Sequence, residues 1–306
     1  MIGEATRLRV LAAAERLGYV PNGAARALAM RKTLTVGAVV PRFGGSSFPT
    51  LVQALETSLA AEGYTLLLSA PDHSRANDPA ILRVLLERGV DAVALLGSEQ
   101  PPQVFAMLEA HRIPFVLMWA EHSDHGVCVG FDEREGAGLV ANHLAAEGHQ
   151  QIGFIGGRIA DNERARRRFN GLMEAAARRG LVLNADAHIE TEYGFRQGFD
   201  AMSRVLALKT SITAMVCGND YLAAGALAAL DAASIDVPTM MSVMGFNDND
   251  FAPYLHPPLT TVRLPIYGIG EGAGRYLIGL LTGQRQEPPP LLPVELIVRG
   301  STCAAP

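Results

Sequence analysis

Seven residues scattered along the chain carry side chains that could grip a small polar molecule: Phe48, Trp119, Asp132, Arg168, Tyr193, Asn219 and Asn247. Each stands just after a short apolar run of the kind that forms a strand. Phe48 and Trp119 offer aromatic faces to a sugar or base ring, and Trp119 is the only tryptophan in the chain. Arg168 can bind adjacent hydroxyls or a carboxylate through two parallel N–H donors, and each asparagine supplies a donor and an acceptor from one group. The same side chains have ordinary structural uses. Phe48 and Trp119 could equally be core packing, and Arg168 could belong to a solvated helix face beside Arg166 and Arg167. Asp220, next to Asn219, reads as the cap of the helix that follows it.

Patterns of enzyme chemistry are weak by comparison. G-I-G-E-G-A from Gly268 fits a loose G-x-G-x-x-A, but Pro265 stands where a strand should feed a phosphate-binding loop, and the motif lies near the C-terminus instead of in a first βα unit. His122, Asp124 and His125 have a spacing that could hold a metal, yet they sit in a polar loop with no further ligand pattern and read as exposed histidines. His149 is placed at a helix end, near terminal carbonyls. Ser46 and Ser47 follow two glycines, but G-x-S-x-G is absent and no His–acid partner can be assigned. No catalytic residue, metal site or cofactor is therefore expected.

The candidate residues need a frame, and the chain repeats one. Leu34 opens L-T-V-G-A-V-V-P, and Gln151 opens Q-I-G-F-I-G-G. Gly37 answers Gly153, and Gly63 answers Gly180 after a helix-length segment. The runs from Val90 and Ile212, and then from Arg112 and Asp236, continue the match, with V-C-V-G-F-D at Val127–Asp132 as the seam. The apolar runs are short, unalternating and rich in Val, Ile and Leu, as strands are when helices cover both faces of a parallel sheet. Amphipathic helical segments separate them. The fold class is α/β, two similar doubly wound parallel-sheet lobes, and the cleft between their facing edges is where function is expected.

At 306 residues, 49% of them hydrophobic, the chain has material for two cores. The 26 basic and 31 acidic residues give −5 overall. Residues 1–33 differ: Arg7, Arg9, Arg16, Arg26, Arg31 and Lys32 outweigh Glu4 and Glu15, a basic end on an acidic body. That asymmetry suits a DNA-contacting appendage. Glu4–Leu17 is rich in helix formers and closed by Gly18, and Asn22–Leu28 can begin a second short helix. Cys128, Cys217 and Cys303 lack C-x-x-C spacing and read as buried thiols in a reducing compartment. With neither a membrane-length apolar run nor a signal-peptide core, the expected location is cytoplasmic.

The segment R-V-L-A-A-A-E-R-L-G-Y-V-P-N-G-A-A-R-A-L resembles the last headpiece helix and hinge helix of the LacI/GalR (lactose-repressor/galactose-repressor) family of bacterial transcription regulators. The resemblance runs on through V-G-F-D-E-R-E-G-A, H-L-A-A-E-G-H-Q-Q-I-G-F-I-G-G, G-N-D-Y-L-A-A-G-A-L, V-M-G-F-N-D and P-P-L-T-T-V-R-L-P to E-L-I-V-R-G-S-T. It implies a periplasmic-binding-protein-like body behind a partial all-α DNA-binding segment. In that reading, residues 1–33 are the remnant of the headpiece and its hinge. Residues 34–131 with 263–286 form one effector-binding lobe, and 132–262 with 287–306 form the other. Crossings are expected near Phe131–Glu133, Thr261–Arg263 and Glu287–Pro290, with a returning helix at Gly268–Leu281 and a last strand at Leu292–Val298.

By the same resemblance, Asn22, Ala25 and Leu28 occupy the N-x-x-A-x-x-L pattern of a minor-groove helix, with Leu28 as the wedge between base steps. A packing contact against the body is the plainer use of Leu28. The family's first two headpiece helices are expected to be missing ahead of Met1, so specific operator reading is expected only when the headpiece is complete. The seven residues named first fall at the family's effector-contact positions. Asn247 replaces an aspartate common there, which argues against an effector that needs a carboxylate acceptor. The implied function is a ligand-responsive regulator, a repressor in the usual case, that binds a sugar-like effector and acts as a homodimer. A stand-alone solute-binding protein and an α/β sugar-processing enzyme are the alternatives.

Overall fold

The computed structural model describes residues 3–20, 22–30, 32–41, 43–44, 47–72, 75, 77–284 and 287–306. Gly45, Ser46, Arg31 and the lobe boundary set at residue 286 lie outside the described residues, as do the side chains of Arg7 and Arg26.

Two sheets organise the body. Strands β1 (Thr35–Val39), β2 (Thr65–Ser69), β3 (Ala92–Leu96), β4 (Phe115–Met118) and β5 (Cys128–Val129) form the first, parallel throughout, in the order β2-β1-β3-β4-β5. Strands β6 (Gln151–Gly156), β7 (Val182–Glu190), β8 (Ala214–Cys217), β9 (Ser242–Asn247), β10 (Thr260–Arg263) and β11 (Glu295–Ile297) form the second. Its order is β11-β10-β9-β8-β6-β7, and only β11 runs antiparallel, against β10. Apart from β11 the orders are the same, so the repeat written in the sequence is a repeat of topology. Strands β3, β8 and β9 are buried along their whole length, which is why their apolar runs show no alternation.

In both sheets the strand order reverses at the first strand, and a ligand crevice belongs at such a switch point, beyond the carboxyl ends of the strands. The helices starting there are α3 (Phe48–Ala60) after β1 and α7 (Glu163–Arg179) after β6. Each ends in a glycine-assisted turn: Gly63 at φ +77° and Gly180 at φ +74° supply left-handed backbone, so the matched glycines answer one steric need.

Helix α4 (Pro79–Glu87) follows β2 and α5 (Pro102–Ala110) follows β3, while α6 (Glu133–Ala146) opens the second lobe. Helix α8 (Phe195–Ala207) then packs beside α9 (Asp220–Ala232). Helix α10 (Ile266–Leu281) returns to pack on α3. A Cβ at Gly270 would lie 2.2 Å from the carbonyl oxygen of Leu51. The glycines from Gly268 therefore sit within a helix and let two backbones meet; they do not form a phosphate-binding loop. The last strand is shorter than the apolar run that announces it. Arg263, placed by sequence at the return to the first lobe, still pairs with Asn247 and Glu295 in the second sheet, so the chain leaves that sheet after Arg263.

Ahead of the body lie α1 (Glu4–Arg16) and α2 (Gly23–Met30), with Gly18 left-handed at φ +61° between them. Leu8, Val10, Leu17, Tyr19, Val20 and Met30 are exposed here. Leu28 is 83% exposed, which removes the packing contact as its use. Among the described residues no helix is long and apolar enough to cross a membrane.

Candidate functional site

A cleft of about 640 Å³ opens between the carboxyl ends of the two sheets. Gly97 and Glu99 line it from the first lobe, and Gly157, Arg158, Glu163, Arg164 and Tyr193 from the second. It narrows at Asn162, Arg164 and Tyr193 into an inner recess of about 40 Å³, whose walls add Ser47, Phe48, Trp119, Arg168, Asn219 and Asn247. Six of the seven residues marked in the sequence thus meet around one small space.

Local folding explains most of these placements. Phe48 opens α3 behind Ser47, and Arg164 and Arg168 are one turn apart on α7, so they share a face of that helix. Trp119 follows β4 in a left-handed conformation, and Asn247 ends β9 at φ +104°. Phe48 and Trp119 are both buried and stack edge to face, with centroids 5.8 Å apart at 78°. Core packing and cleft lining are therefore the same use of these two rings.

Glu133 is one of the residues the sequence reading missed. It is buried, accepts Arg168 Nε at 2.9 Å and Arg168 Nη2 at 3.0 Å, and also accepts Trp119 Nε1 at 2.9 Å. Arg168 Nη1 donates to the Gly218 carbonyl, and its guanidinium lies 4.5 Å from the Phe246 ring centroid. Burial works against the Arg168 charge, but the attraction of Glu133 prevails and the net shift is upward. The fork expected for a ligand is thus occupied by a protein carboxylate, and Arg168 is not on a solvated face. Its neighbours are paired too, Arg166 with Glu99 and Arg167 with Glu121 across the cleft. Asp132 is set apart from the recess: its Oδ1 accepts the Arg134 amide at 2.7 Å and caps α6.

The cap assignment at α9 is also corrected. Asn219 Oδ1 accepts the Leu222 amide at 3.0 Å and is the cap. Asp220 instead lies fully buried behind the recess, where it accepts Thr261 Oγ1 at 2.6 Å and the Asn249 amide at 2.6 Å. Burial pushes its carboxyl up to about 7, against the downward pull of those hydrogen bonds. Asn249 Oδ1 accepts Ser47 Oγ at 2.9 Å, and Ser47 Oγ accepts Asn247 Nδ2 at 3.0 Å, so this network joins the two lobes. Asn247 Oδ1 is buried and, among the described residues, accepts no hydrogen bond.

Arg164 was missed as well, although its spacing of four from Arg168 was the available signal. It lines both the cleft and the recess, with its guanidinium 5.8 Å from the Phe48 ring centroid. Tyr193 also faces both spaces, and burial raises its pKa. Glu163 bridges the lobes: Oε2 accepts the Ser98 amide at 2.9 Å and the Glu99 amide at 3.1 Å, while Oε1 accepts Ser98 Oγ at 2.5 Å. Neither Glu163 nor Asn162, the cap of α7, carried a signal in the sequence.

Other groups find structural uses. His122 bonds Asp124 at 3.3 Å in an exposed loop, and His125 stacks on Phe105 with centroids 4.1 Å apart. The described residues contain no cluster able to hold a metal. His149 contacts Thr213 Oγ1 at 2.8 Å and the Cys303 carbonyl at 3.2 Å, so its ring bonds the C-terminal segment instead of helix-end carbonyls. Cys217 is buried as expected, while Cys128 and Cys303 are only half-buried.

Comparison with known proteins agrees with this geometry. Residues 141–302 match the family model described as a periplasmic binding protein-like domain. Over 289 residues the chain is 32% identical to the HTH-type transcriptional repressor PurR of Erwinia tasmaniensis, covering 94% of this chain and 84% of that one. The lac repressor dimer bound to operator and the anti-inducer ONPF is similar with a TM-score of 0.82 at 25% identity, over 94% of this chain and 100% of that chain. The transcriptional regulator CelR in complex with cellobiose gives 0.77 at 27% identity, over 98% and 92%. These relatives are transcription regulators, not enzymes. Two doubly wound lobes around a cleft, a helical segment ahead of them and a repressor relative matched along most of its length place the chain in the LacI/GalR family of ligand-responsive transcriptional regulators.

Proposed function

We propose that the recess and the cleft together bind a small sugar-like effector, and that lobe movement around it alters the hinge helix and operator affinity in a homodimer. Phe48 and Trp119 pack against the part of the effector that enters the recess, Asn219 and Asn247 line that part's polar side, and Tyr193 and Arg164 close the neck. Arg168 holds Glu133 and Trp119 in place. The observation that carries this reading is the convergence of Phe48, Trp119, Arg168, Tyr193, Asn219 and Asn247 on one recess continuous with an open cleft. The cellobiose bound by a regulator of the same fold supports a sugar.

In this reading the body divides into residues 34–131 with 264–286 and residues 132–263 with 287–306, and residues 1–33 carry the DNA contacts through Asn22, Ala25 and Leu28. Effector acts by population shift: it stabilises one lobe arrangement over the other, and an effector with equal affinity for both would regulate nothing. The regulator works in the cytoplasm, where its operator lies.

Trp119 supplies the test. As the only tryptophan, set in the recess wall, it reports directly on occupancy. Titration with ribose, glucose, cellobiose, glucuronate and glucose 6-phosphate is expected to give a saturable change in its emission with at least one of them. An unchanged spectrum with all five would overturn the reading.

A further inference from the structure

The neck of the recess carries a buried positive charge that, among the described residues, no ion pair or hydrogen bond holds. Arg168 is matched by Glu133, Arg167 by Glu121 and Glu163, and Arg166 by Glu99. Arg164, one turn before Arg168, forms neither an ion pair nor a hydrogen bond among the described residues; its guanidinium lies over the Phe48 ring, and burial opposes its charge more than the attraction of Tyr193, Glu133 and Glu163 supports it, so its pKa is lowered. The two nearest carboxylates are already engaged. Glu133 accepts three donors from Arg168 and Trp119, and Glu163 is held by Ser98, Glu99 and Arg167.

Position makes this charge consequential. At about 40 Å³ the recess is far smaller than the roughly 150 Å³ cavity that takes a benzene ring. A sugar ring therefore spans the neck, with one substituent in the recess and the rest in the cleft, and it passes Arg164, which lines both. The same recess holds Asn247 Oδ1, a buried acceptor without a donor among the described residues, and such a group costs free energy until it is satisfied. One ligand with an anionic group and a hydroxyl donor a few bonds away answers both.

Resting on the effector reading above, we infer that the ligand is a small polyhydroxylated acid whose carboxylate or phosphate pairs with Arg164 while one of its hydroxyls donates to Asn247 Oδ1. The rim of the cleft opposes anions through Asp72, Asp161, Glu99 and Glu192. Glu99 and Glu192 are paired with Arg166 and Arg158, and Asp72 and Asp161 are exposed and screened by solvent and salt, whereas Arg164 meets its ligand at the neck.

Calorimetric titration of the full chain with glucose, glucuronate and glucose 6-phosphate tests this. At least one acid is expected to bind about ten-fold or more tightly than glucose. Arg164→Gln is expected to erase that preference and Arg164→Lys to keep part of it, both with unchanged circular dichroism because no ion pair is broken. The acid that responds tells carboxylate from phosphate. Glucose binding as well as both acids, or a preference that survives Arg164→Gln, overturns the inference while leaving the sugar reading intact. Silence from all three, together with an unchanged Trp119 spectrum for the wider set, removes the sugar reading and this inference with it.

Discussion

The recess and the hinge helix are equally conspicuous in the sequence, yet they are held in unlike ways. Around the recess, Phe48, Trp119, Glu133, Arg168, Asn219 and Asn247 are all buried, and hydrogen bonds from two lobes fix them. Helix α2 has eight residues, fewer than the 12–15 or so that an isolated helix needs, and its Leu28 faces solvent. Among the described residues, the Ala25 amide reaches Asn22 Oδ1 at 3.4 Å at the start of α2, and Lys32 Nζ, just beyond its end, donates to the Leu281 carbonyl of α10 at 2.9 Å. A ligand site needs its geometry in place before the ligand arrives. A coupling element, the role proposed for α2, needs two states of similar free energy, and a short helix with an exposed Leu28 suits that role.

Substitutions can break this contrast. The largest effect is expected from Arg168→Ala, which strands the buried Glu133 carboxylate and should cost about 3–5 kcal/mol of stability in urea denaturation. Sequence alone presents the same substitution as one that removes a ligand contact and spares the fold. A stability loss below about 1 kcal/mol would restore that view and make the recess no more rigid than the hinge.

A smaller effect concerns pH. Asp220 titrates near 7 in the folded protein, against about 3.9 when unfolded. Between those values the native state holds a proton that the unfolded chain has released. This group's contribution is therefore fully present below about pH 4 and is lost as pH rises through 7, by up to about 1.4 kcal/mol per unit. Comparing denaturation of the parent protein and Asp220→Asn at about pH 5 and about pH 7 should show a downward slope that the variant flattens. Parallel pH profiles would mean that Asp220 is ionised throughout. The smallest effect belongs to the hinge: Leu28→Ala should change stability by less than about 0.5 kcal/mol. A loss above about 1 kcal/mol would show α2 to be part of the packed body and would end the contrast.

Legibility in the sequence followed the range of the interaction. Gly63 and Gly180 were readable because a left-handed helix exit is a local requirement that few residues other than glycine meet. Phe48, Trp119, Tyr193 and Asn247 were readable because strand ends in doubly wound sheets converge on one edge. The neighbours Asp132 and Glu133 were not distinguishable, since one turn of backbone decides which carboxylate caps α6 and which enters the core. The exchange of roles between Asn219 and Asp220 has the same cause.

By itself, the sequence determined the strands, the helices, the internal repeat and the edge where the site lies. These follow from periodicity, capping and glycine, which act within a few residues. Only the tertiary structure decided which arginine is spent on Glu133 and which is left facing the cleft, because the Arg168–Glu133 pair closes across 35 residues and the Glu163–Ser98 contact across 65. Charge pairing depends on distances of a few ångströms in space, and no spacing along the chain encodes them.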